Sequence, residues 1–377
     1  MKKLLLLNLV LFITMMANAS VNNVEVKEDR GTKIQVAILL DTSSSMDGLI
    51  EQAKSRLWNI VNTLTTLKFN GRNPSIEIAI YEYGNNGIHT SDYIRQVTPL
   101  TIDLDLISEK LFSLTTYGGN EYCGAVIDKA VKHLDWGNNR SDMKLIYIAG
   151  NEPFTQGNIS YKTAIANALE NGIYVNTIHC GNRSSGISGM WQDGAIRGKG
   201  KFFNIDHNVR VRHYDTPYDD KISVCNDRLN RTYIGYGSTG YARKENQVAQ
   251  DRNAVNISVA NMAERAVSKS KKVYDNSSWD LVDKVNADKD ALNHIKKSEL
   301  PVELQNKSKA ELQKLIAEKE KERIAIQNEI NELAKKRQEY IDEQTKRDTD
   351  TPGDDLGKAI NESILALANQ KGYTVSK

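Results

Sequence analysis

Between residues 33 and 205 the sequence alternates short apolar runs with amphipathic stretches, and this order restricts the possible folds strongly. The apolar runs are rich in β-branched or aromatic residues, as strands are, and the stretches between them have helical periodicity. Strands separated by helices favour an α/β fold with a doubly wound, mostly parallel sheet flanked by helices. The predicted strands are 34–40, 76–83, 145–149, 173–178 and 202–205, with 93–100 as an edge hairpin partner, and the predicted helices are 49–64, 104–112, 125–134 and 161–169.

The chain of 377 residues is 40% hydrophobic, which is enough for about two domains with a sizeable core. Its net charge is only +2 because acidic and basic residues nearly cancel. A broad basic face for nucleic acid is therefore not expected, and nucleic acid is excluded as a partner.

The first nineteen residues have the pattern of a signal peptide. Lys2 and Lys3 precede an apolar run over 4–16, and Ala17-Asn18-Ala19 provides a small-residue cleavage site. We expect export to the periplasm, the cell surface or the medium, with a mature chain beginning near Ser20. An uncleaved signal acting as a membrane anchor is the alternative. No later stretch approaches the ~20 apolar residues of a membrane-spanning helix, so no stable span is predicted.

The strand predicted at 34–40 runs directly into a turn with oxygen-bearing side chains at Asp41, Ser43 and Ser45. One carboxylate and two hydroxyls suit Mg2+ or another divalent cation that retains several waters. An ordinary polar turn is the alternative interpretation, since Ser and Asp are common in turns. In open α/β sheets ligands bind at the carboxyl ends of the strands, where the loops 117–121 and 149–152 are also expected.

These residues resemble the von Willebrand factor type A (VWA) domain with its metal-ion-dependent adhesion site, over residues 33–205. The family has a Gly-Gly-Thr loop and a Thr-Asp-Gly turn, whereas this chain has Asn120 in place of the threonine and Gly150 in place of the aspartate. The resemblance implies Asp41, Ser43 and Ser45 as metal ligands.

The two departures leave the rest of the ligand set open. The amide oxygen of Asn120 could replace the missing hydroxyl, directly or through water. Glu121 or Glu152 could replace the missing charge by turning inward, although either could be a solvated surface acid. We take Asn120 and Glu152 as further candidate ligands. In the family, a carboxylate from a protein partner completes the coordination of the cation, so such a partner is implied here.

The remainder of the chain is predicted to be helical. A helical extension at 206–276 contains a helix that opens at Thr216-Pro217-Tyr218-Asp219, a short extended element at 233–237 and one long helix over 246–272. This extension is expected to pack on the first domain, with a separate ligand pocket as the alternative.

The last region, 277–377, is dominated by a charged stretch over 309–347 with a heptad-like seam of coiled-coil type. Three of the nine seam positions are basic, at Lys319, Arg323 and Arg337. The helix is therefore expected to form a short hairpin or fold onto its neighbours rather than a long dimeric coiled coil. Thr351-Pro352-Gly353 is predicted to end it, and a final amphipathic helix over 356–370 to follow, capped by Gly372. Whether the long helix is a solvated strut or an oligomer interface stays open, as does the oligomeric state.

The three cysteines, Cys123, Cys180 and Cys225, are too few for a disulfide scaffold, although one pair could oxidise in an exported protein. No zinc spacing, nucleophile elbow or phosphate-binding glycine pattern is present, so an enzyme is not expected. The leading hypothesis is an exported protein-binding domain that uses a divalent cation. The alternative is a structural scaffold with a vestigial metal site that assembles through its C-terminal helices.

Overall fold

A computed structural model describes residues 31–347 and 356–376. The predicted signal peptide at 1–19 and the turn Thr351-Pro352-Gly353 lie outside the described residues. The strands are β1 (Lys33–Asp41), β2 (Leu67–Lys68), β3 (Ser75–Tyr83), β4 (Ile94–Thr101), β5 (Met143–Gly150), β6 (Ile173–Cys180), β7 (Lys199–Ile205) and β8 (Thr374–Val375). The first helices are α1 (Asp47–Thr65), α2 (Leu104–Phe112), α3 (Cys123–His133), α4 (Tyr161–Glu170), α5 (Arg183–Ser188) and α6 (Trp191–Arg197). The later helices are α7 (Asp219–Asn230), α8 (Gly240–Ile257), α9 (Val259–Lys269), α10 (Leu281–Ala287), α11 (Ala291–His294), α12 (Lys309–Arg347) and α13 (Leu356–Gln370).

Six strands form the central sheet in the order β4-β3-β1-β5-β6-β7. All neighbours are parallel except β4, which pairs antiparallel with β3 at the edge, as predicted. Asp41 pairs with Tyr83, and Leu40 pairs with Ala149. The carboxyl ends of β1, β3 and β5 therefore meet at one edge, and the predicted doubly wound fold class is confirmed.

Helices cover both faces of the sheet because successive side chains of each strand point to opposite sides. Ala37 and Leu39 of β1 belong to the core formed with α3, α4 and α6. Val36 and Ile38 belong to the core on the other side, with α1, α2 and α13. The short helices α5 and α6 were not predicted, because with six and seven residues they are too short to show an apolar period.

The final helix, α13, completes the layer that covers the second face. It packs on α1 and against β5, β6 and β7. The hydroxyl of Tyr147 on β5 lies 3.0 Å from the Ser363 hydroxyl, which donates in turn to Asn176 Oδ1 at 2.6 Å. After α13, β8 pairs with β2. The helix has the predicted bounds, 356–370, and Gly372 has the positive φ of +79° that suits glycine after a helix.

The prediction of one long helix over 246–272 is wrong. Two helices, α8 and α9, occupy this segment, and Ser258 between them has an extended backbone with φ −172° and ψ 161°. The Ser258 hydroxyl caps α9 by accepting a hydrogen bond from the Asn261 backbone N–H at 3.0 Å. The break allows the two helices to pack together, with Arg265 Nε donating to Asp251 Oδ1 at 2.6 Å. The periodicity of the sequence does not reveal this pairing.

The long helix α12 has the predicted bounds and folds onto its neighbours, as one of the sequence alternatives proposed. Its seam packs on α7, α9 and α10 of the same chain. The basic seam residue Arg323 is buried and pairs with Asp280 at 2.8 Å and Asp283 at 2.6 Å. Arg337 is likewise buried and pairs with Asp219 at 2.7 Å. Among the described residues, no helix has the length and apolar character needed to cross a membrane.

Candidate metal centre

The turn after β1 brings Asp41, Ser43 and Ser45 together. Asp41 is completely buried, and its Oδ1 accepts a hydrogen bond from the Ser43 backbone N–H at 2.7 Å. This Asx-type contact reverses the chain into a 3-10 turn, Ser44–Met46, that leads into α1. The Ser43 and Ser45 hydroxyl oxygens lie 3.3 Å apart. The side chains that the sequence singled out therefore converge on one side of the turn.

The loop after β5 contributes Asn151, which was not among the predicted ligands. Its Nδ2 donates to the Ser45 hydroxyl at 3.1 Å, and its backbone carbonyl lies 3.3 Å from His179 Nε2. The first contact connects the loop after β5 with the turn after β1, and the second connects it with β6. The position of Asn151 directly after a strand end was the only sequence signal that could have identified it.

The loop 117–121, which precedes α3, places Glu121 beside Asp41. Only 3% of Glu121 is exposed, and its carboxylate faces that of Asp41. Burial raises the pKa of Asp41 well above its usual range, and the neighbouring Glu121 carboxyl raises it further. Burial also raises the pKa of Glu121. Asp41 Oδ2 and Glu121 Oε2 have no hydrogen-bond donor among the described residues.

The two further candidates, Asn120 and Glu152, are exposed to solvent. The Glu152 carboxylate accepts a hydrogen bond from Gln156 Nε2 at 3.2 Å, and its charge is close enough to raise the pKa of Glu121. Glu121 is thus the acid that turns inward, which was one of the two possibilities left open. The amide that reaches the serines belongs to Asn151 rather than Asn120.

An aspartate like that of the related family has no room at the position of Gly150. A Cβ at this position would lie 2.5 Å from the Tyr83 hydroxyl and 3.1 Å from Asp41 Oδ2. The Tyr83 hydroxyl donates to the Ala149 carbonyl at 3.0 Å, so it is fixed in place. Gly84, with φ +78°, also lies against the carboxylates, and its Cβ would be 2.8 Å from Asp41 Oδ1. A side chain at position 150, in the loop after β5, would therefore collide with Tyr83 and Asp41.

The donors in this cluster are carboxylate, hydroxyl and amide oxygens, which suit Mg2+, Ca2+ or Mn2+. The described residues contain no group of three or more His, Cys, Asp or Glu side chains that could hold a metal ion. A cation at Asp41 and Glu121 would therefore depend on neutral oxygens and water for its other ligands. The three cysteines are buried free thiols and take no part.

The fold and this cluster define the class of the domain: the family model of the von Willebrand factor type A domain matches residues 35–187. This part of the chain is a VWA domain, as the sequence resemblance indicated. VWA domains commonly take part in protein–protein interactions and often bind a divalent cation at the metal-ion-dependent adhesion site (MIDAS). No protein sequence matched the chain in a search of curated proteins.

Several solved structures are similar to the VWA part of the chain. The conserved hypothetical protein BatB from Bacteroides thetaiotaomicron is 20% identical, with 46% of this chain and 90% of BatB covered and a TM-score of 0.35. The SpRpn10 VWA domain is 20% identical, with coverage of 47% and 89% and a TM-score of 0.35. Proximal thread matrix protein 1 from the mussel byssus, with a zinc-occupied MIDAS motif, is 14% identical, with coverage of 47% and 43% and a TM-score of 0.36. Likenesses of this size carry no information on function.

Proposed function

We propose that this protein is an exported, non-enzymatic binding protein whose VWA domain holds a divalent cation and uses it to bind a carboxylate of a protein partner. The proposed ligands are Asp41, Ser43, Ser45 and Glu121, with Asn151 beside them. The supporting observation is the pair of buried carboxylates, Asp41 and Glu121, which face each other with oxygens that lack a donor. Such a pair is stable only with a proton or a cation beside it.

The proposed cation would supply a positive charge at the edge of the sheet. The described side chains would hold it and leave room for an incoming ligand, because Ser45 is exposed and Asn151 is only half-buried. A partner carboxylate is the ligand expected there, since charge-assisted contacts are stronger than neutral ones. Export is proposed from the pattern at residues 1–19.

The proposal assigns no catalytic step. The Cys123 thiol is buried, with its Sγ 3.8 Å from the Tyr83 hydroxyl, and burial raises the pKa of this thiol. A thiol of raised pKa is a poor nucleophile at neutral pH. The scaffold hypothesis, which places assembly in the C-terminal helices, is the alternative; the seam of α12 packs within the same chain.

Titration calorimetry of the intact protein with Mg2+ and Mn2+ tests the cation. We expect one site in the wild type and no measurable heat in Asp41→Ala. A capture experiment from the periplasm or cell surface, with and without chelator, tests the partner. Equal capture in both conditions would contradict a cation-dependent interaction, and equal heats in both proteins would remove the metal.

A further inference from the structure

The loop after β5, which carries Asn151, is held by the segment between β6 and β7. Trp191, the first residue of α6, donates from Nε1 to the Glu152 backbone carbonyl at 2.8 Å. The Phe154 backbone N–H donates to the Gly189 carbonyl, also at 2.8 Å. Two hydrogen bonds thus fix the backbone of this loop within three residues of Asn151.

Trp191 is itself firmly placed. Only 1% of it is exposed, and its backbone carbonyl accepts a hydrogen bond from the buried Thr177 hydroxyl on β6 at 2.7 Å. Its ring lies 4.8 Å from that of Phe154 and edge-on to that of His179 at 5.8 Å, measured between centroids. A buried indole N–H needs an acceptor, and the Glu152 carbonyl is that acceptor. The indole therefore transmits the position of β6 to the loop after β5.

Two glycines allow α5 and α6 to approach these rings closely. A Cβ at Gly186 in α5 would lie 2.7 Å from His179 Cγ, and a Cβ at Gly194 in α6 would lie 2.7 Å from Phe154 Cε1. Glycine lowers the intrinsic stability of a helix, so the sequence gives up helix propensity at both positions. The close packing of the rings beneath the loop depends on these two residues.

The fixed loop bears directly on the candidate metal centre. The Asn151 Nδ2 donates to the Ser45 hydroxyl at 3.1 Å. A hydroxyl oxygen has two lone pairs, so this bond orients the oxygen and leaves one lone pair for a cation. A ligand oxygen that is already in place loses less freedom when the cation binds. The affinity of the site should therefore depend on how firmly Asn151 is held.

We propose that Trp191 is a positioning residue of the candidate metal centre. Its indole N–H fixes the loop backbone at Glu152, so that the Asn151 amide holds the Ser45 hydroxyl in place for the cation. This inference rests on the proposed function, because it concerns how tightly that site holds its cation. It gives the segment between β6 and β7 a part in cation binding, although the Trp191 indole donates to a backbone carbonyl rather than to a proposed ligand.

Titration calorimetry with Mn2+ compares Trp191→Phe with the wild type. The variant keeps an aromatic ring but loses the N–H, and we expect its Kd for Mn2+ to rise at least about threefold. Trp58→Phe is the matched control, since Trp58 is also 1% exposed but belongs to the core on the other face of the sheet. It should lose stability as well, yet bind Mn2+ with the Kd of the wild type.

Two further measurements separate positioning from a general loss of stability. In an Asn151→Ala background, Trp191→Phe should have little additional effect on the Kd, because Trp191 acts through Asn151. In the metal-free protein, hydrogen exchange of peptides that cover residues 151–156 should be faster in Trp191→Phe than in the wild type, and unchanged in Trp58→Phe. A purely structural role of Trp191 would give neither result.

Thermal unfolding checks that each variant is folded. If Trp191→Phe does not fold, benzothienylalanine at position 191 replaces it, since sulfur takes the place of the N–H in a ring of nearly the same shape, and the same rise in Kd is expected. Mn2+ binding by the wild type together with an unchanged Kd in the position-191 variant would overturn the positioning role and leave the proposed function standing. An effect of full size in the Asn151→Ala background would also overturn it. Absence of Mn2+ binding by the wild type would overturn the proposed function itself and this inference with it.

Discussion

The carboxylates of Asp41 and Glu121 face each other in the interior although they come from different loops of the VWA domain. Asp41 ends β1, and Glu121 stands just before α3. Two buried carboxylates that face each other repel unless a proton or a cation lies between them. The second carboxylate of this cluster therefore comes from the loop 117–121, whereas the related family has an aspartate at the position of Gly150.

Glu121→Gln should reduce the affinity for Mg2+ or Mn2+ at least about tenfold, because it removes one of two charged ligands. The same change should stabilise the metal-free protein by about 1 kcal/mol at pH 7, since it removes the repulsion with Asp41. Calorimetric titration and chemical denaturation measure the two effects.

Glu152→Gln is the matched control for Glu121→Gln, because Glu152 is an exposed acid close to the same loops. It should change the cation affinity and the metal-free stability only slightly. A larger loss of affinity in Glu152→Gln than in Glu121→Gln would return Glu152 to the ligand set that the sequence proposed.

Gly150→Asp restores the residue of the related family but should destabilise this protein, by about 1–3 kcal/mol. The new Cβ would lie 2.5 Å from the Tyr83 hydroxyl. Tyr83→Phe removes that oxygen, so the double variant should recover part of the lost stability. Urea denaturation compares the wild type with the single and double variants, and additive losses would show that Tyr83 is not the obstacle.

Ile364→Ala should lower the free energy of unfolding by about 2–5 kcal/mol, because Ile364 on α13 is fully buried in the core that covers the sheet. Leu365→Ala on the same helix is the matched control, since 40% of Leu365 is exposed, and it should cost far less. For the same reason a fragment ending at residue 205 should not fold stably. A cooperative unfolding transition in that fragment would contradict the structural role of α13.

Asp283→Asn should make stability less dependent on pH. Burial and the charge of Asp280 raise the pKa of Asp283 to about 7, against about 3.9 in an unfolded chain. The folded state then binds the proton more tightly, so stability is highest below the unfolded pKa and falls as the pH rises to about 7. This group contributes a slope of up to about 1.4 kcal/mol per pH unit between the two values. Denaturation of wild type and variant between pH 4.5 and about 8 measures it, and parallel curves would contradict the assignment.

The spacing of apolar residues and the positions of turn residues were enough to predict most elements of the VWA domain. Both are local properties of the sequence. Asp41, Ser43 and Ser45 could be recognised for the same reason, since they occupy consecutive alternate positions after one strand. The long helix over 246–272 was mispredicted because its break at Ser258 is fixed by the packing of α8 on α9. Local periodicity contains no information on that contact.

The sequence by itself therefore determined the α/β class, the edge strand, the turn that holds Asp41, and the bounds of the last two helices. Only the tertiary structure decided that Glu121 rather than Glu152 turns toward Asp41, that Gly150 has no room for a side chain, and that α13 returns to cover the sheet. Each of these outcomes depends on atoms that are distant along the chain but within a few ångströms in space. Such contacts are fixed by close packing and by the burial of charge, which act between elements rather than along them.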